Sequence, residues 1–144
     1  MNSEQKQALE FGVPLRETCV KMEWQKETFF FWVKDVTSTI EEIWDVCYLD
    51  VQSDSYKTAN NNKSLLSTDD EEYKPEYIVP APQMHEIVPL IEKKQGFAGV
   101  EIIGSYLCFV SYKFKIENHH YAQAYAELWL KLKSEGLIGQ NYGI

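Results

Sequence analysis

The sequence predicts an α+β fold: an antiparallel sheet of about four to five strands, two helices packed on one face, and a short N-terminal helix. Three observations carry this expectation. Runs rich in aromatic and β-branched residues stand at 28–33, 43–51 and 106–116. Apolar residues recur at helical spacing near 84–91 and 121–132. The apolar fraction is 44%, with nine Tyr, seven Phe and four Trp among 144 residues, which suffices for the core of one domain spanning 1–144.

Ser3 caps a first helix in this reading, with Glu4 in the favourable first turn and Ala8, Leu9 and Phe11 on its apolar face. Gly12 ends it and Pro14 prevents its resumption. Residues 16–25 alternate, with Thr18, Val20, Met22 and Trp24 on one side and Cys19, Lys21 and Glu23 on the other, which predicts a strand. A turn near Lys26-Glu27 leads to the aromatic strand at 28–34. Residues 38–51 admit two readings. Ser38 with Glu41 and Thr39 with Glu42 resemble capping boxes, and Ile40, Ile43, Trp44 and Cys47 then follow helical spacing. The preferred reading is a strand over about 42–51, paired with 28–34 and buried on both sides, because Trp44, Val46 and Tyr48 alternate with Ile43, Cys47, Leu49 and Val51.

Residues 52–76 have loop composition: Ser53-Asp54-Ser55, Asn60-Asn61-Asn62 and Asp69-Asp70-Glu71-Glu72. A long polar, acidic loop is expected there, anchored by Leu65-Leu66. Tyr77-Ile78-Val79 is extended ahead of Pro80-Ala81-Pro82. Pro82 suits a first helical turn, and Met84, Ile87, Val88 and Ile91 form a core-facing stripe interrupted by Pro89 and closed near Gly96. Residues 97–103 and 106–116 predict a hairpin about Gly104-Ser105. Asn118 then caps a last helix over about 119–135, with Tyr121, Ala122, Tyr125, Leu128, Trp129 and Leu132 apolar and Gly136 stopping it.

The net charge of −8 is unevenly placed. Residues 1–52 hold ten acids and five bases, residues 53–76 six and three, and residues 77–144 six of each. No basic footprint for nucleic acid is visible. The apolar runs fall short of the roughly 18 residues a membrane span needs. Met1-Asn2-Ser3-Glu4-Gln5-Lys6 lacks the basic and apolar regions of a signal peptide. Cys19, Cys47 and Cys108 form no Cys-x-x-Cys, so reduced, buried thiols in a cytoplasmic protein are expected.

Candidate chemistry is sparse. His85, His119 and His120 are the imidazoles. His119 and His120 diverge by about 100° on a helix, so a metal site needs His85 or Glu117 brought close by the fold. The cysteines lack a nucleophile signature. The carboxylate runs Glu41-Glu42 and Asp69–Glu72 lack the apolar cleft that raises one partner's pKa. Phe29, Phe31, Tyr112 and Phe114 suit core packing better than a stacking platform in an acidic chain. Neither a Gly-x-Gly-x-x-Gly run nor a Walker-type lysine loop occurs. No catalytic, cofactor or metal residue is assigned.

Three short motifs recur together elsewhere: Glu4-Gln5-Lys6-Gln7-Ala8-Leu9-Glu10-Phe11-Gly12, then Pro80-Ala81-Pro82 leading to a helix through Ile91, then the Ala- and Leu-containing segment Tyr121 to Leu132. With them the chain resembles small uncharacterised proteins of Bacteroides-type gut bacteria and their prophages or mobile elements. That family often has Thr after the second proline; Gln83 here loses that cap, and the 52–75 stretch is a further departure. The resemblance implies no activity and carries over no functional residue.

The leading functional expectation is a non-catalytic accessory or protein-interaction protein of prophage or mobile-element type, meeting a protein partner through its acidic first half. The alternative is a small enzyme or ligand-binding module, with a pocket between sheet and helices that draws on His85, Cys108 and Tyr112. A weaker alternative is an acidic mimic of nucleic acid.

Overall fold

The computed structural model describes residues 2–95, 98–102, 106–110, 114–118 and 120–138. The α+β expectation holds, with four helices and a five-stranded antiparallel sheet among the described residues. Helix α1 (Ser3–Phe11) is followed by α2 (Arg16–Met22), β1 (Phe30–Lys34), β2 (Trp44–Asp50), β3 (Ser55–Thr58) and β4 (Ser64–Ser67). A 3-10 turn at Pro75–Tyr77 leads into β5 (Ile78–Pro80) and α3 (Met84–Gln95). Strands β6 (Ala98–Ile102), β7 (Tyr106–Val110) and β8 (Phe114–Asn118) precede α4 (Tyr121–Ser134).

The strands divide between two sheets, ordered β4-β3-β2-β1-β5 and β6-β7-β8. In the first, Trp32 pairs with Val46 and Val79, so β1 lies between β2 and β5. Strands three places apart in a flat sheet would stand roughly 14 Å apart, yet β4 comes within 8 Å of β1. The sheet therefore rolls. Its inner side holds Val33, Cys47, Tyr56, Leu65 and Leu66, and its other side holds Trp32, Trp44 and Val46 under Ala8, Val13 and Cys19. Both sides of β1 and of the first half of β2 are thus buried, but the expectation fails at the far end: Leu49 is 38% exposed, and Val51, beyond the strand, is 80% exposed.

The second sheet carries the C-terminal core. Helix α4 touches β7, β8, α3 and α2. Its Ala124, Tyr125, Leu128, Trp129 and Leu132 pack with Ile87 and Ile91 of α3 and with Met22 and Trp24. The middle and last helices therefore meet the three-stranded sheet and each other, while α1 contacts β2 of the five-stranded one.

Several expectations are corrected. Residues 16–22 form a helix, because Leu15, Cys19 and Met22 recur at i, i+4 and i+7; Val20, assigned to the buried face of a strand, is 50% exposed. The 52–76 loop contains the β3–β4 hairpin. Asn60-Asn61-Asn62 are exposed at its turn, and a register shift at Tyr56/Lys57 bulges the partner strand at Leu65. The bulge lets the adjacent Leu65 and Leu66 both reach the inner cluster, which makes them the anchor expected.

The single strand at 106–116 is two antiparallel strands, with Val110 opposite Phe114. Residues 111–113 lie outside the described residues, as do Gly96, Gly104-Ser105 and His119. Asn2, not Ser3, caps α1: its side chain accepts from Gln5 N–H at 2.8 Å, and the Gln5 side chain accepts from Asn2 N–H at 2.9 Å. Pro82 precedes α3 and does not lie within it. Gln83 caps the helix through its carbonyl, which accepts from Ile87 N–H, and Glu86 makes the reciprocal contact of a capping box by accepting from Gln83 N–H at 2.8 Å. Helix α4 begins at Tyr121, two residues later than expected, and Asn118 accepts from His120 N–H just ahead of it at 2.8 Å. Gly12 (φ 64°) and Gly136 (φ 72°) occupy the left-handed positions that end α1 and α4.

Candidate ligand cleft

Helix α1 lies on β2 and α4 lies among α2, α3 and the second sheet, so a cleft remains between α1 and α4. Its floor is built by a buried amide. Gln123 of α4, 6% exposed, accepts from Leu15 N–H at 2.8 Å and donates to Thr18 Oγ1 at 2.7 Å, which ties the start of α2 to α4. Its opposite wall is the Gln5, Leu9, Gly12 face of α1. Leu9 is 54% exposed, an apolar side chain left on the rim.

The cleft comprises two hollows that share Leu9 and His120. One, about 270 Å³, lies where α3 and α4 begin and is lined by Gln83, Met84 and His85 at the opening of α3 and by His120, Tyr121 and Ala122 at the opening of α4. The other, about 600 Å³, is lined by Gln5, Leu15, Asn118, Gln123 and Glu127. His120 stands at the junction. Both of its ring nitrogens are shut off from solvent, and neither has a hydrogen-bond partner among the described residues. A buried polar group left in this way costs about 1–3 kcal/mol.

The two ends of the cleft differ in charge. Among the described residues, no carboxylate lines the first hollow. Glu86, at the start of α3, is engaged elsewhere: its Oε2 accepts from Gln83 N–H and from the Thr28 hydroxyl at 3.0 Å. In the second hollow Glu127 is held from one side, because Asn118 Nδ2 donates to its Oε2 at 3.1 Å. Its Oε1 has no partner among the described residues.

The structure thus brings His85 and His120 to one hollow, the convergence that a shared site required. Glu117's side chain, His119, Cys108's side chain and Tyr112 lie outside the described residues. Among the described residues no three metal-capable side chains gather. Cys19 and Cys47 are free and buried, and burial is the main cause pushing both thiols well above their ordinary range; Asp45 and Asp35 add to it at Cys47. Both are poor nucleophiles in that state. The runs Glu41-Glu42 and Asp69–Glu72 are exposed. Phe31 packs edge-on against Tyr56 in the inner cluster, and Phe29 stacks on Tyr48 at 6.3 Å on the surface. Sequence reasoning named both histidines but missed Leu9, Gln123 and Glu127. The one available signal was helical: His120, Gln123 and Glu127 fall at i, i+3 and i+7 on one face.

No helix among the described residues is long and apolar enough to cross a membrane. No protein-family model matches the chain, and neither a curated protein nor a solved structure matches it.

Proposed function

We propose that the chain is a non-catalytic binding module for a small molecule, with the α1–α4 cleft as its site. The observation that supports this reading is the cleft itself, two adjoining hollows of about 270 Å³ and 600 Å³ that share Leu9 and His120 between α1 and α4. Catalysis is not part of the proposal, because the described thiols are buried and their thiolates strongly disfavoured. A fragment screen read by NMR tests it. Compounds that bind should shift the Leu9 methyls and the backbone amides of 120–127 together. A library that moves neither at millimolar concentration, or moves only signals elsewhere, would remove the reading.

A second reading keeps the accessory, protein-interaction role in the cytoplasm that the resemblance to Bacteroides-type prophage proteins suggests. What favours it is charge: residues 1–76 carry the whole net excess of −8, with sixteen acids against eight bases. A basic protein partner fits that surface. Capture from a lysate should then weaken steeply with salt and fail for a variant with Asp69–Glu72 neutralised. Recovery of the protein alone across several growth states counts against it.

A further inference from the structure

We propose that the groove between α2 and the outer edge of β5 docks an arginine side chain of a basic partner protein. This rests on the protein-interaction reading and adds where, and by what chemistry, that partner is held.

Strand β5 is the last of its sheet, and α2 lies against it. Ala81 N–H donates to the Phe30 carbonyl at 2.9 Å, which makes these two a hydrogen-bonded pair. Bonded and non-bonded pairs alternate along an antiparallel ladder. Trp32 and Val79 therefore bond each other, while the backbone groups of Ile78 and Pro80 point away from β1. The Ile78 N–H is taken by the Pro75 carbonyl, and proline has no N–H. The outer edge thus offers two carbonyl acceptors and no donor. An added strand needs both, so this edge refuses a backbone and suits a side chain that only donates.

Between that edge and α2 lies a hollow of about 240 Å³. Cys19 and Trp24, 1% and 5% exposed, form its floor, and half-exposed Val20 faces Ile78–Pro80 across it. Glu23 and Glu76 complete the lining, and no cationic side chain joins them there among the described residues. Lys133 Nζ reaches Glu23 Oε1 at 3.5 Å, whereas Glu76 is exposed and has no ion pair among the described residues. An arginine matches each part. Its guanidinium donates five N–H groups, accepts nothing, and forks to fit a carboxylate. Its aliphatic stem covers apolar surface on the way to that charge. A lysine brings three donors on a compact, strongly hydrated ammonium, a poorer match to acceptors spread along an apolar wall. Glu23 and Glu76 both belong to residues 1–76, which carry the net excess of acid, so the field that draws a basic partner leads to this groove.

NMR titration of the full chain with three peptides tests the assignment: a short lysine-containing peptide with one central arginine, the same peptide with lysine at the centre, and the same with citrulline. N-acetylarginine amide is titrated beside them. The arginine peptide should shift the Val20 methyls and the Ile78 and Val79 amides. It should bind on the order of threefold more tightly than the lysine peptide and fivefold more tightly than the citrulline one, the range of one partly exposed ion pair. Glu76→Gln should weaken the arginine peptide on the order of threefold. Val20→Lys, which places a cation on the rim at an exposed helix position, should abolish the shifts at Ile78 and Val79. Unchanged circular dichroism shows that both variants fold. Equal binding of the arginine and lysine peptides, or indifference to both substitutions, overturns the proposal. N-acetylarginine amide binding as tightly as the peptide would give the groove to a small guanidinium compound and overturn the protein docking. If capture from a lysate stays salt-dependent and needs Asp69–Glu72 but ignores Glu76→Gln and Val20→Lys, the groove assignment falls and the interaction reading stands. If neither peptides nor lysate proteins bind, both fall.

Discussion

Single side chains decide how the elements meet. Gln7 of α1 is 8% exposed and joins α1 to β2 at a place the ladder leaves open. Strand β3 pairs from Cys47 onward, so Val46 N–H has no strand partner there and donates instead to Gln7 Oε1 at 2.9 Å; Gln7 Nε2 donates to Asp45 Oδ1 at 2.9 Å. Gln7→Ala strands a buried backbone donor and should cost about 1–3 kcal/mol in urea melts, whereas Gln5→Ala, at an exposed position, should cost less. The thiols give a chemical test. Iodoacetamide should leave Cys19 and Cys47 unmodified in the native protein and label both in denaturant, read by peptide mass spectrometry; native labelling of either would contradict its burial. Asp50 and Lys57 form a 2.7 Å ion pair across β2 and β3. The hydrogen bond from Lys57 is the main reason that the Asp50 carboxyl sits below its ordinary range, and the bond to Asp50 holds the Lys57 ammonium above its own. The depressed carboxyl contributes stability above the ordinary carboxylate range, lost as pH falls through it; the raised ammonium contributes below the ordinary lysine range, lost as pH climbs through the raised value. Asp50→Asn should therefore be less stable than the natural protein near neutrality, with the gap closing at both extremes. A gap constant with pH would show that the pair contributes nothing through its charges.

At the scale of elements, α3 holds a built-in weakness. Pro89 lies within it and is exposed, and without an N–H it leaves the His85 carbonyl without its helical donor. Pro89→Ala restores that bond and the helix propensity, at the cost of a freer unfolded chain. A net gain of about 1–2 kcal/mol is expected in thermal or urea unfolding. The same change should tighten the backbone at His85 beside the first hollow. Loss of stability would mean that the sequence needs the break. How far such features can be read from sequence depends on period and on neighbours. Pro89 and the Ile87–Ile91 stripe were legible because both act within one turn. Helix α2 was not, since seven residues satisfy period two and period 3.6 about equally until tertiary packing buries Cys19 and Met22 and leaves Val20 outside. The β3–β4 hairpin was hidden by composition: its buried apolar residues are Tyr56, Leu65 and Leu66, beside buried polar Ser55 and Thr58, and Ser55 and Ser64 meet through their hydroxyls across the pair. For the cleft, the two histidines were visible as residue types. Their meeting depends on the openings of α3 and α4 converging beside α1, which no local pattern encodes.

Across the whole molecule, the question is whether the two sheets unfold together. The clusters are separate: Trp32 and Trp44 belong to the five-stranded half, Trp24 and Trp129 to the half under α4. Helix α2 joins them. Its Cys19 packs with Trp32, and three residues on its Met22 packs with Trp129. The tie is polar as well as apolar. Gln123 of α4 holds Leu15 and Thr18 at the start of α2, and Lys133 Nζ donates to the Met22 carbonyl at its end at 3.3 Å. Trp32 Nε1, in turn, donates to the Pro14 carbonyl at 3.0 Å, fixing the turn that launches α2. With both ends of so short a helix held by the two halves, neither core can open without exposing the other's edge. Tryptophan fluorescence and far-ultraviolet circular dichroism should therefore report one coincident urea transition. Trp32→Ala should lower it by about 3–5 kcal/mol and Leu132→Ala by about 2–5 kcal/mol, each moving both signals together. Met22→Ala should do what neither of those does: weaken the link, and so separate the transitions of the two halves or broaden the single one. Two transitions already present in the natural protein would show that α2 is a passive connection and that the halves are independently stable.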